Sequence, residues 1–250
     1  LVQGGGNLNL IGEGAIGGTA KLTIETGDLN VDNSLMIDSG GTLTSGTGNV
    51  QISGPLTLDG ELVQGGGTLN LIKGGTVGES GKLDMSGAVL GLGGALNITG
   101  TLASNSTSSW SGWQGTLDLS SGTLESSGGT INLNDFTTGA NTTLKLSGDT
   151  EISSYNDTTL GTLELSGNKL TLGENGGLIL PNTLTMAAGS EIETKGNNLT
   201  HVNPLQLNSG TITSTGGTLS FAGGVTMGAQ GKLDVTGSTL LVAGDLDLSS

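Results

Sequence analysis

The chain has 250 residues, 49 of them Gly, 3 Pro and none Cys, with 22 acidic residues against 7 lysines and no arginine. The net charge of −15 leaves no basic cluster to neutralise phosphate, so nucleic acid is excluded as a partner. No apolar run of about 18 residues is present, so no helix of this segment is expected to insert into a membrane. Without Cys, disulfide stapling is excluded too.

Apolar residues make up 33% and charged residues 12%, against typical shares of about 45–50% (counting Gly) and about 25%. Intrinsic disorder favours high net charge and little aliphatic content, but here Leu, Ile and Val recur on a schedule. Along the chain the schedule reads Leu8-Asn9-Leu10, Leu22-Thr23-Ile24, Leu29-Asn30-Val31, Val50-Gln51-Ile52 and Leu56-Thr57-Leu58. Period two puts both aliphatics on one face and the polar residue on the other, which is the mark of a half-buried strand. Gly, Ser, Asn and Asp clusters separate the triplets and supply turns. Helical spacing is absent.

At Leu62 the chain begins to copy itself. Leu1–Ile11 returns as Leu62–Ile72 with Asn7 becoming Thr68, and Lys21-Leu22 returns as Lys82-Leu83, a shift of 61 residues. Strand centres at 8, 16, 22, 29, 36, 43, 50, 56, 62 and 69 divide that shift into nine intervals. Three strands per turn then make it three turns of about 20 residues. Each unit of such an array buries its apolar side only against its neighbours.

Further on, Leu83-Asp84-Met85 continues the pattern, and Trp110 and Trp113 interrupt it where a strand is due. Buried, they would plug a widened corner of the coil; exposed together, they would form a glycan-stacking platform. Leu117-Asp118-Leu119, Leu144-Lys145-Leu146 and Leu163-Glu164-Leu165 resume the alternation. Ser121–Leu124 returns as Ser209–Ile212 and Ile131 as Leu219, a shift of 88 residues that fits four turns of 22. Gly81–Gly87 returns as Gly231–Gly237, and the alternation closes with Leu205-Gln206-Leu207 and Leu246-Asp247-Leu248.

These spacings predict an all-β, right-handed parallel β-helix of about three short strands and 20–22 residues per turn, roughly a dozen turns long. Residues 1–250 are expected to form a single solenoid segment, with internal repeats at about 1–26, 62–87, 121–148 and 209–237. Leu1 falls inside a repeat and Ser250 ends one abruptly, so a piece of a longer chain is expected.

The phrasing Gly115-Thr116-Leu117-Asp118-Leu119-Ser120-Ser121-Gly122 and Gly161-Thr162-Leu163-Glu164-Leu165-Ser166-Gly167 resembles the repeats of bacterial filamentous-haemagglutinin-type exoproteins and autotransporter passenger domains. The resemblance is one of texture over the whole chain. It implies a secreted or surface-displayed right-handed β-helix, extracellular or on the bacterial cell surface, serving as the shaft of a fibre or adhesin. Neither the N-terminal secretion cap nor the C-terminal barrel of those families is visible. Expected partners are further repeats or subunits stacked end to end, and host or matrix glycans.

Residues for catalysis are sparse. His201 is the one histidine and reads as a surface or turn residue; without Cys or a second His it cannot complete a zinc site. Glu191 with Glu193, and Asp245 with Asp247, are the paired carboxylates a glycosidase would need. Each pair brackets an aliphatic residue (Ile192, Leu246), so the alternation turns the acids outward to solvent. A pectate-type lyase would want an arginine beside its calcium cluster, and there is none. The Gly-Gly-x-Gly-x-Asp repeat of calcium-binding β-rolls is missing as well. Thr183-Leu184-Thr185 and Thr211-Ile212-Thr213 form no ladder at the turn period, so ice binding is not expected. A non-enzymatic chain with no cofactor and no metal is the expectation.

Overall fold

The computed structural model describes residues 1–105, 107–112, 115–173 and 176–248. It is all-β apart from one 3-10 turn at Leu133–Asp135, and its parallel strands stack into a β-solenoid of about 11 turns in all. The described residues fall into two compact units. The first comprises Leu1–Leu124 with Asp135–Thr137, the second Glu125–Asn134 with Thr138–Ser250.

In the first unit the coil has three faces, each built from strands of two to four residues. Lys21–Ile24, Thr42–Ser45, Glu61–Gln64, Lys82–Asp84 and Thr101–Ser104 stack on the first face. Leu8–Leu10, Leu29–Val31, Val50–Ile52, Thr68–Leu71, Val89–Leu92 and Ser109–Gly112 stack on the second. Gly14–Ile16, Leu35–Ile37, Leu56–Leu58, Gly75–Val77, Leu96–Ile98, Leu117–Asp118 and Phe136–Thr137 stack on the third.

Register follows from the alternation. On the second face Leu8 pairs with Leu29, Leu29 with Val50 and Val50 with Leu69, so the 61-residue copy is three turns, stepped 21, 21 and 19. Leu29, Val50, Leu69 and Leu90 are buried in one column, as are Leu43, Leu62, Leu83 and Leu102 on the first face. A column of this kind removes each aliphatic side chain from water against an aliphatic side chain of the next turn, contributing about 1.5–3 kcal/mol per residue. Slippage by one residue would turn every Leu outward, which pins the strands.

The corners explain much of the glycine. Between the first and second faces, Gly6, Gly27, Gly48 and Gly67 stack on one another. A Cβ on Gly27, at φ 139°, would lie 1.9 Å from the Gly6 carbonyl oxygen, and one on Gly48 would lie 1.7 Å from that of Gly27. Beside them Asn7, Asp28 and Asn49 form a side-chain ladder. Asn7 Oδ1 accepts from the Asp28 amide, Asp28 Oδ1 from the Asn49 amide at 2.9 Å, and Asn49 Oδ1 from the Thr68 amide at 3.0 Å. Each side chain thereby takes a backbone donor that the bend frees from the sheet.

The second unit is less regular. Thr143–Leu146, Thr162–Leu165 and Thr183–Met186 stack on one face. Thr158–Thr159, Leu178–Leu180, Leu199–His201, Thr218–Phe221 and Thr239–Val242 stack on another. The remaining face runs from Gly129–Asn132 through Thr150–Ser153, Lys169–Leu172 and Glu191–Glu193 to Leu205–Ser214 and Val225–Val235. Leu205–Ser214 and Val225–Val235, of 10 and 11 residues, carry strand pairing through a corner that elsewhere is a turn, with Gly210 at φ 83° in the bend. Their pairing shifts register between Leu207 and Ser209, a β-bulge that places Gly228 and Ala229 opposite Asn208.

One expectation fails here. The 88-residue copy is not four whole turns: Ile131 stacks on Ile152 and so on Leu172, whereas Leu219 stacks on Leu199 and Leu178, on a different face. A Thr-Leu-x-Leu strand flanked by Gly meets the same demand on every face, with one side inward and one outward. A copied stretch can therefore be reused a face away without exposing its aliphatics.

Candidate functional site

On the outer faces some of the acidic alternates are met by lysines. Lys169 reaches Glu193 at 2.8 Å and Glu191 at 3.3 Å, because Lys169 pairs with Glu191 in the adjacent strand and Glu193 lies two residues on, on the same face. Ile192 between them is fully buried, so the alternation turns this pair outward as expected. The hydrogen bond that Lys169 donates to Glu193 outweighs desolvation and raises the ammonium above its ordinary value of 10.5. Two carboxylates held by one cation are poorly suited to act as a free acid and base. In the first unit Lys82 does the same for Glu61 at 3.7 Å and Asp84 at 3.5 Å. Asp245 and Asp247 flank an exposed Leu246.

Trp110 sits in the column Leu69, Leu90, Trp110 on the second face of the first unit. Its half-buried ring meets the edge of Phe136 with centroids 5.3 Å apart and planes at 84°. Phe136 ends the neighbouring third-face column, stacked on Leu117. Two large rings thus close two adjacent Leu columns, in the edge-to-face geometry that aromatic quadrupoles favour. Trp113, the other half of the expected glycan platform, lies outside the described residues.

The outer surface of that second face carries an amide ladder. Asn30 Nδ2 donates to Asn9 Oδ1 at 2.9 Å, and Gln51 and Asn70 continue the row in register. At Gly91 the row lacks a side chain, since a Cβ there would lie 2.4 Å from Asn70 Oδ1. An open groove of about 460 Å³ follows, lined by Gln51, Thr68, Asn70, Ile72, Val89 and Gly91 among others. The exposed Ile72 gives it an apolar wall and the amides a hydrogen-bonding one. Among the described residues, no charged side chain lines it.

His201 corrects the sequence reading. It is not a surface or turn residue but the last residue of Leu199–His201, 1% exposed. Strict alternation from Leu199 places it inward, and its imidazole is accommodated because Nδ1 lies 2.7 Å from the Asn203 carbonyl oxygen.

The buried hydroxyls were missed altogether. Ser45 and Ser104 in the first unit, and Ser126, Thr150, Thr194 and Ser214 in the second, lie inside the coil. In the second unit they pair: Ser126 Oγ with Thr150 Oγ1 at 2.9 Å, and Thr194 Oγ1 with Ser214 Oγ at 2.9 Å. The signal was available. Thr42–Ser45, Thr101–Ser104 and Thr123–Ser126 all read x-Leu-x-Ser, so the alternation that buries Leu also buries the Ser two residues later.

Among the described residues, no group of three or more His, Cys, Asp or Glu side chains is placed to hold a metal ion, and no helix is long and apolar enough to cross a membrane. No protein-family model, curated protein or solved structure matches the chain.

Proposed function

We propose that this chain is a non-catalytic shaft segment of a large secreted or surface-displayed bacterial fibre or adhesin, of the filamentous-haemagglutinin and autotransporter-passenger kind that its repeats resemble. The observation that carries this reading is the set of continuous columns within each unit. Such a structure puts nearly all its stabilising contacts between successive turns, so each turn holds the next and load passes along the chain. Its outward carboxylates are paired with lysines or spread over solvent, which suits solubility better than chemistry. In the second unit the last members of inward columns stay exposed, Leu240 on Leu219 and Leu246 on Val225, which supports further turns or subunits as stacking partners.

Single-molecule stretching between the two ends tests the mechanical part. The expected record is a series of ruptures whose contour-length increments are multiples of one turn, about 20 residues; release without resistance would remove the shaft reading. Catalysis is tested by incubating the protein with acidic and neutral polysaccharides. No turnover is expected, and turnover abolished by Glu191→Gln or Glu193→Gln would replace this reading with a carbohydrate-active one.

The groove beside Gly91 favours one secondary reading, a neutral glycan held by amides against Ile72 and Val89. Titration with neutral oligosaccharides while following Trp110 and Trp113 fluorescence decides it. Binding weakened several-fold by Asn70→Ala supports it, and an unchanged spectrum up to about millimolar sugar removes it.

A further inference from the structure

In the second unit the inward column Leu180, His201, Phe221 places the only histidine of the chain between two fully buried apolar side chains. The Asn203 carbonyl can only accept, so Nδ1 carries the proton and Nε2 keeps a bare lone pair. Nε2 is buried and has no hydrogen-bond partner among the described residues. A second proton, on Nε2, would put a charged N–H donor into this column with nothing to receive it.

Among the described residues, nothing nearby offers a counter-charge. The strands stacked directly on Leu199–His201, which are Leu178–Leu180 and Thr218–Phe221, contain no ionisable residue, and neither do Thr239–Val242 and Leu205–Ser214. Val225–Val235 contains Lys232 and Asp234, which pair with each other at 3.3 Å. Glu191 and Glu193 are taken by Lys169, and Lys195 by Glu151 at 3.4 Å. Asp245 is exposed in the loop that precedes Leu246–Asp247.

We propose that His201 is an acid-sensitive latch: the coil from Leu199 to Phe221 stays closed only while the imidazole is neutral, and protonation expels the ring and opens that coil to solvent. Burial holds the imidazole below its ordinary value of 6.5, and the Asn203 carbonyl offsets this only in part. The open coil takes its proton at the ordinary value. Closure is therefore fully favoured above pH 6.5 and is lost as the pH falls from there through the lower folded value. Within that window one proton is taken up per opening, so the opening equilibrium rises about tenfold per pH unit. A shaft with this property would loosen at one coil in an acidic compartment and close again at neutrality.

The test uses the intact chain, in which a lone histidine gives an unambiguous ring signal. NMR titration from pH 8 to 4.5 should show a native imidazole that titrates below 6.5. Hydrogen exchange, corrected for its intrinsic pH dependence, should show protection of residues 199–222 falling about tenfold per unit below pH 6.5, while residues 29–31 hold theirs. His201→Phe should abolish that slope. An imidazole titrating at or above 6.5 with the native spectrum intact overturns the proposal, as does an equal slope in residues 29–31 or in His201→Phe. If His201→Phe fails to fold, the wild-type titration and exchange still decide.

Discussion

The two units solve the same stacking problem with different interiors. The first is nearly pure aliphatic: Leu, Val or Ile at every buried level of its second face from Leu29 to Leu90, with turns of 19 or 21 residues. The second interrupts its columns with Thr150, Thr158, Thr194, His201 and Ser214, and fuses a corner into the long strands Leu205–Ser214 and Val225–Val235. Aliphatic columns tolerate repetition because every level is interchangeable. Buried polar levels are not interchangeable, since each needs its own partner, so they tie particular turns together. The second unit gives up some burial and gains levels that can respond to solvent, His201 foremost.

Cutting an aliphatic level should have the largest effect in either unit. Leu69→Ala and Leu199→Ala each remove a fully buried side chain and should cost about 2–5 kcal/mol, read from denaturant midpoints. A loss below 1 kcal/mol at either site would mean that its column is not packed as described. Next come the hydroxyls, where the units should part company. Ser214→Ala strips partners from Thr194 Oγ1 and from Ser238 Oγ, 2.7 Å away, and should cost about 1–3 kcal/mol. Ser45→Ala removes a buried hydroxyl that has no partner among the described residues and should be neutral or stabilising. Equal losses at the two sites would erase the distinction drawn here.

The smallest effect is expected on the outer faces. Lys169→Met in the second unit and Lys82→Met in the first each unpair two carboxylates at partly exposed sites. Each should cost no more than about 1 kcal/mol, and less at high salt. Because the Lys169 ammonium sits above its ordinary value, its contribution is complete below 10.5 and fades as the pH rises through the folded value. A salt-independent loss larger than that of Ser214→Ala would show that these pairs do more than coat the surface.

Much of this was legible residue by residue. The triplets Leu29-Asn30-Val31, Val50-Gln51-Ile52 and Leu56-Thr57-Leu58 are strands in the structure with their polar members outward, and the 61-residue copy is three turns. The outward turn of Glu191 and Glu193 followed from Ile192 between them. What went astray shares one cause: a polar residue was taken as an outward or turn residue even where the alternation pointed it inward. His201 and Ser126 both obey the same two-residue beat as the Leu that precedes them. The 88-residue shift misled for a related reason, because strands of identical pattern serve different faces and letter-for-letter similarity carries no record of which face.

By itself the sequence determined the strand, the side each residue presents and the approximate length of a turn. All three are local consequences of a backbone whose side chains alternate and of glycine-rich bends that break it. Only the tertiary structure decided which turn lies on which, where strand pairing continues through a corner with a bulge, and which buried polar atom meets a partner. Those outcomes depend on atoms about 20 residues apart in sequence and a few ångströms apart in space, and no property of a single strand specifies them. Ser214 and His201 make the point: each is inward by the same local rule, yet one finds two hydroxyls and the other keeps a bare nitrogen.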